Sequence, residues 1–235
     1  MTSTRLPGKI LREVLKRPLL EYQIERLRRV KNARSIVVAT TVNPTDDIIS
    51  EFCSRLGLSV FRGSEEDVLG RYYHAAVVAK AEHIVRVTSD CPLIDPAVID
   101  QCINLYGGGI RFDYVSNTLE RTYPRGLDVE LFSMKTLAEM FREATLPYQR
   151  EHVTPYIRDH RERFRIGQVK GDRDLSYHRW TVDTPDDFEL IGRILEELYP
   201  TKPSFDLQDV IDLLKEHPDW VTLNQHIRQK ELSEK

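Results

Sequence analysis

At 235 residues, 40% of them hydrophobic and 30% charged, with a formal net charge of −3, the chain has an ordinary globular balance. It is long enough for one large α/β domain. The charge argues against non-specific nucleic-acid binding as its main task, no apolar run reaches membrane-spanning length, and the N-terminus lacks the apolar core of a signal peptide.

The three cysteines, Cys53, Cys91 and Cys102, form neither a CxxC pair nor a zinc spacing. They are expected to be reduced, in a cytoplasmic protein with no membrane or nucleic-acid partner.

The stretch Thr2-Ser3-Thr4-Arg5-Leu6-Pro7-Gly8-Lys9 carries two cations and a turn-forming Pro-Gly pair. Gly8 lets backbone N–H groups approach an anion, and Pro7 pre-sets the turn. Arg5 can fork onto phosphate oxygens while Lys9 adds a compact charge. This suits a triphosphate-cradling loop, although the Walker spacing is missing. Taken alone, the stretch also fits a basic tail in solvent.

Pro18 is expected to open a helix reaching about Lys31, with Leu20, Ile24 and Leu27 inward; its face of Arg26, Arg28, Arg29 and Lys31 fits a solvated surface better than a basic groove. Residues 35–40 have the continuous apolar character of a buried parallel strand. Thr45 is expected to cap a helix over 46–56 that Gly57 closes. A strand over 58–61, a helix over 67–81 and a strand over 84–88 follow. Asp95-Pro96 then opens a helix to about Tyr106. This alternation predicts βαβ crossovers and a mainly parallel mixed sheet.

The rhythm changes from there. Strands over 113–117, 127–132 and 163–169 flank a helix capped by Ser133 and a Pro-interrupted segment, 147–156. Residues from about 118 to 169 are read as an inserted arm. A strand over 178–183 precedes a helix from Thr184-Pro185 to Leu198, with Asp187 three residues after its cap. Asp206 caps the last amphipathic helix. Residues 1–224 form one domain, and 225–235 a polar, frayed tail.

Ligands of open α/β sheets sit at the carboxyl ends of the strands. Asp90, within Val87-Thr88-Ser89-Asp90-Cys91-Pro92-Leu93-Ile94-Asp95, follows one strand, and Asp183 ends another. Two such carboxylates over one crevice are the hard oxygen ligands that Mg²⁺ takes together with substrate phosphates. Singly, each fits equally well a turn residue or a helix-cap partner. Jointly, beside a basic loop, they favour metal binding.

Three of these stretches, Ser3–Lys9, Val87–Asp95 and Val182-Asp183-Thr184-Pro185-Asp186-Asp187, resemble the cytidylyltransferases that make CMP-activated sugar acids. Gly63-Ser64-Glu65-Glu66-Asp67-Val68-Leu69, Tyr123-Pro124-Arg125-Gly126-Leu127-Asp128-Val129-Glu130 and Arg150-Glu151-His152-Val153-Thr154-Pro155-Tyr156 are similar to the spore-coat polysaccharide branch of that family.

The resemblance implies a three-layer α/β nucleotide-diphospho-sugar transferase (Rossmann-like) fold. It implies an Mg²⁺-dependent attack of a sugar-acid hydroxyl on the α-phosphorus of CTP, and a homodimer. Arg5 and Lys9 then hold the triphosphate, and Asp90 and Asp183 the metal. Ser3, Thr4, Gly8, Ser64, Asp67 and Ser89 border the nucleotide. Arg125, Asp128 and Glu130 line the sugar pocket; His152 either joins them or is structural. Tyr72, Tyr73 and Trp180 fit core or crevice wall better than base stacking.

In that family a hydrophobic first strand leads into the opening loop, whereas this chain starts at the Met before it. A late start site is the preferred explanation over a real truncation. Two neighbouring strands are then expected to stand unpaired. Two other classes stay open at this point. A glycosyltransferase would use the Asp172-Arg173-Asp174 triplet, which otherwise fits a turn. A remnant would bind nucleotide without turnover.

Overall fold

The computed structural model describes residue 3 and residues 5–229. Gly8 takes φ 66°, a left-handed backbone that side chains resist, and turns the chain into a 3₁₀ turn, Lys9–Leu11. Strands β1 (Glu13–Val14) and β2 (Arg17–Pro18) form a small antiparallel hairpin. Helix α1 (Leu19–Leu27) starts just after Pro18, not on it, and ends earlier than expected. Strand β3 (Val37–Thr41) follows.

Helix α2 (Asp47–Arg55) is not capped by Thr45, which lies inside a 3₁₀ turn, Pro44–Asp46. The Asp46 carboxylate turns back instead to accept from the Thr40 and Thr41 hydroxyls, both at 2.7 Å. Gly57, at φ 71°, does close the helix.

Strand β4 (Ser59–Gly63) runs parallel to β3. Helix α3 (Val68–Val78) is capped by Asp67, strand β5 spans His83–Arg86, and helix α4 (Pro96–Tyr106) is capped by Asp95 as expected. Strands β6 (Tyr114–Ser116) and β7 (Glu130–Ser133) lead into helix α5 (Met134–Glu143), whose cap is Ser133.

The Pro-interrupted segment becomes two helices, α6 (Pro147–His152) and α7 (Pro155–Asp159), ahead of strand β8 (Ile166–Gln168). Helix α8 (Pro185–Leu198) carries the Thr184–Asp187 capping box, and α9 (Leu207–Glu216) is capped by Asp206. Helix α10 (Pro218–Thr222), not anticipated, follows.

The larger sheet has the order β5-β7-β6-β8, with β7 antiparallel to both neighbours and β8 parallel to β6. The α/β architecture and the mixed sheet stand as expected, with fewer parallel ladders. Residues 118–169 are woven into it: they supply β7 and β8, while α5 and α6 pack on α3.

Side chains alternate faces along the strands. Val115 and Leu131 face Val98, Ile99, Ile191 and Ile194 of α4 and α8, while Tyr114 and Phe132 face Leu69, Leu137 and Met140 of α3 and α5. The sheet is therefore covered on both sides, giving three layers. Among the described residues no helix is long and apolar enough to cross a membrane.

β3 and β4 form a separate two-stranded sheet beside α1 and α2. Between β3 and β5 lies a slot of about 310 Å³, walled by Leu20, Ile24, Val38, Val68, Tyr72 and Val85. On the slot side neither strand has a partner among the described residues. The buried Gln23 amide donates to the Thr88 carbonyl at 2.6 Å across it, and its own carbonyl oxygen finds no partner.

The segment 178–183 is not a ladder strand. It makes one isolated bridge, Arg125 to Arg179, and its amides go elsewhere: Trp180 donates to Arg125 and Val182 to Asp90. Asn224, the last residue of the expected domain, is buried and donates to the Asp187 carboxylate; within the expected tail Gln229 accepts from Arg179, and residues 230–235 lie outside the described residues.

Candidate functional site

Two main-chain devices assemble the site. The first is the Pro7–Gly8 turn, which aims Arg5 and Lys9 the same way. The second is the Val182 N–H donating to the Asp90 carbonyl at 2.8 Å, with the Thr181 hydroxyl reaching the same oxygen at 3.3 Å. The loop after β5 and the loop before α8 are thereby stitched together, and their carboxylates face one point.

Lys9 occupies that point. Its ammonium lies 2.8 Å from Asp90 Oδ2 and 2.7 Å from Asp183 Oδ1. The other Asp183 oxygen, Oδ2, is ion-paired with Arg5 at 3.0 Å and accepts from Arg179 at 2.8 Å. Asp183 is 13% exposed at its side chain and Asp90 22%, so both keep a face to solvent.

Burial alone would lift the Asp183 carboxyl, but Lys9, Arg5 and Arg179 outweigh it and hold the group below the ordinary carboxylate range. Burial likewise works against the Lys9 charge; the two aspartates reverse it and raise the ammonium above its usual value. Both groups are charged at neutral pH.

Arg179 was not singled out from the sequence, where it looked like one residue of a strand. It binds Asp187 through Nε at 2.8 Å as well as Asp183, and Asp187 is fully buried. Asp187 also accepts from the main chain of Asp183 and Thr184. The expected helix-cap residue is therefore the anchor that fixes Asp183. The available signal was the Arg-x-x-x-Asp-x-x-x-Asp spacing across one turn.

Among the described residues no three His, Cys, Asp or Glu side chains converge to hold a metal. The carboxylates of Asp90 and Asp183 meet on the Lys9 ammonium. Residues 1–217 match the model of the cytidylyltransferase family. The chain belongs to that family.

It is 34% identical to the spore coat polysaccharide biosynthesis protein SpsF of Bacillus subtilis over 94% of this chain and 93% of that protein. The structure of a cytidylyltransferase from Leptospira borgpetersenii is 35% identical and superposes with a TM-score of 0.89, over 98% of this chain and 95% of that one. A CMP:2-keto-3-deoxy-manno-octonic acid synthetase, solved in complex with CTP, shares the fold at a TM-score of 0.61 and 16% identity, over 83% and 95% of the two chains. The protein is thus a nucleotidyltransferase of the cytidylyltransferase family, similar to the spore-coat branch that its motifs indicate.

The other expected residues of this cytidylyltransferase fall into two groups. Arg5, Lys9, Asp90 and Asp183 meet directly, while Ser3 accepts from the Leu6 N–H and helps close the turn. Thr4 lies outside the described residues. Ser89 is exposed at the rim of the β3–β5 slot. Arg125 makes no ion pair among the described residues. Burial first, then the neighbouring Arg121 and Arg179, lower its pKa, against the pull of Asp128 and Asp183.

The second group has prior engagements. Asp67 caps α3 and is ion-paired with Arg150 at 2.5 Å; Ser64 accepts from the Asp67 N–H. Asp128 is held in a two-pronged pair by Arg121. Glu130, expected in the sugar pocket, lies in a cross-link within the sheet. It is buried, ion-paired with Arg86, and accepts from the hydroxyls of Tyr114 and Thr154. Burial opposes its charge, yet Arg86 and the two hydroxyls keep its pKa depressed.

His152 ends α6, immediately before Val153, which is buried at φ 74°. Trp180 is core, Tyr73 stacks on Phe141 with ring centroids 4.2 Å apart, and Tyr72 walls the slot, as expected. Asp172-Arg173-Asp174 is an exposed turn in which Asp174 accepts from the Ser176 N–H. The three cysteines are free and buried.

Proposed function

We infer that the protein transfers CMP from CTP to a sugar acid, or a related acidic sugar, with release of pyrophosphate, in the synthesis of a surface polysaccharide. The convergence of Asp90 Oδ2 and Asp183 Oδ1 on a single cation position, beside Arg5, supports this most strongly. The ammonium of Lys9 is a stand-in there: the pair already holds a positive charge between two hard oxygens.

Two carboxylates without His or Cys suit Mg²⁺, which completes its shell with water and phosphate oxygens. When bound, the metal supplies neutralisation of phosphate charge and a lowered pKa for the attacking hydroxyl.

The protein's own side chains do the rest by position and charge. Asp183 is fixed by the Arg179–Asp187 anchor, so the oxygen that faces Lys9 keeps its direction. Arg5 and Lys9 meet the triphosphate and stay with the pyrophosphate as it leaves. Gly8, lacking a side chain, lets phosphate approach the main chain of the turn. Arg125 is a cation with no ion-pair partner among the described residues, in the electrostatic reach of Asp128 and Asp183, and is assigned to the substrate carboxylate.

The test is pyrophosphate release from CTP and Mg²⁺ with a panel of 2-keto sugar acids, uronic acids and neutral sugars. Release with an acid and none with its neutral counterpart is expected. In Arg125→Met the KM for the acid rises about tenfold or more, with the KM for CTP little changed. Release that ignores the acid group would refute the substrate class.

A further inference from the structure

We propose that Lys9 is an interlock: its ammonium occupies the position where the catalytic cation binds, so that cation and Lys9 exclude one another and the arriving metal hands Lys9 to the triphosphate. This rests on the assignment of Asp90 and Asp183 as the metal's carboxylates.

Each carboxylate has two oxygens. Asp183 Oδ2 is taken by Arg5 at 3.0 Å and Arg179 at 2.8 Å, leaving Oδ1. Asp90 Oδ2 faces the same cation as Asp183 Oδ1, while Asp90 Oδ1 has only a long contact with the Cys91 sulfur, at 3.5 Å. Lys9 holds these two facing oxygens, at 2.8 Å from Asp90 and 2.7 Å from Asp183. A divalent ion held by these two oxygens would need the space of the ammonium, and two cations would not share it.

Lys9 is also the member built to leave. It has a flexible four-carbon stem on a short turn, whereas Arg179 is clamped by the buried Asp187. When it goes, Arg5 and Arg179 still hold Asp183 in place. Metal alone must break two charge-assisted hydrogen bonds with nothing offered to Lys9 in return. With a triphosphate present Lys9 gains new partners, so metal and nucleotide bind with positive coupling.

Mn²⁺ serves as the probe, its free concentration read by electron paramagnetic resonance, without turnover. In the absence of nucleotide Lys9→Met is expected to bind Mn²⁺ about tenfold tighter than the unaltered protein. Arg5→Met removes the same charge from Asp183 but leaves the interlock, and should change affinity less than about threefold. Equal affinity in Lys9→Met and the unaltered protein, or an equal gain in Arg5→Met, overturns the interlock.

Adding Asp90→Asn to Lys9→Met should abolish the binding. If instead Asp90→Asn changes nothing, with or without CTP, the metal site itself is misassigned, a result separate from failure of the interlock. A second measurement needs no variant. Acetylation of Lys9 by acetic anhydride, mapped by mass spectrometry, should rise when Mn²⁺ is added without nucleotide; unchanged labelling contradicts the proposal.

Discussion

The N–H of Val182 donates to the carbonyl of Asp90 at 2.8 Å, joining two loops distant in the chain one residue away from Asp183. The separation of the two carboxylates is therefore set by main chain, and charge can be removed from either without moving its loop.

Asp90→Asn and Asp183→Asn should each lower kcat by roughly 10²-fold or more, the scale seen when a preorganised electrostatic group is lost. Asp183→Asn should also cost on the order of 1–3 kcal/mol, because Arg179 and Arg5 lose a charged partner. Asp90, held by Lys9 alone among the described cations, should cost less. Pyrophosphate release and urea unfolding of the same samples separate the two effects.

Arg179→Met should destabilise the protein by about 3–5 kcal/mol, because it leaves the fully buried Asp187 carboxylate without its cation. Activity should fall even where the variant remains folded, since Asp183 loses its fixed partner. Unfolding midpoints in urea at neutral pH measure the first loss.

His178 is buried against Tyr177 and Trp180, and desolvation lowers its pKa from 6.5 to about 4. The unfolded chain thus takes up this proton first. Stability should fall as pH drops from 6.5 towards 4, by up to about 3 kcal/mol from this group. Asp183, held below the carboxylate range, surrenders its share only at lower pH. In His178→Leu the urea midpoint should be flatter between pH 6.5 and 4; an unchanged slope would refute the assignment.

The two edges facing the slot predict an exchange pattern. β7 is paired on both sides, whereas β3 and β5 are each paired on one. Roughly alternate amides of Val37–Thr41 and His83–Arg86 should exchange much faster than those of Glu130–Ser133 in native-state hydrogen exchange.

Much of this was legible in the sequence because it was local. Asp95, Ser133, Thr184 and Asp206 announce their helices by capping chemistry that acts within a few residues, and each caps where expected. The Pro7–Gly8 turn and the two acidic loops were likewise readable from short patterns. What was missed depends on distant partners. Residues 178–183 have strand-like composition, but their amides bond to Arg125 and Asp90, so no ladder forms.

Glu130 stands within a motif that suggests a pocket. Only the pairing of β7 with β5 and β6 brings Arg86 and Tyr114 beside it. The occupation of the aspartate pair by Lys9 is of the same kind, since three segments must fold before those atoms meet.

The most direct measurement is an anomalous difference map from crystals grown with Mn²⁺ and CTP. The account predicts one strong peak between Asp90 Oδ2 and Asp183 Oδ1, about 2.1 Å from each, with the Lys9 ammonium moved onto phosphate oxygens. A manganese ion bound by nucleotide alone, with Lys9 still bridging the two carboxylates, would contradict it.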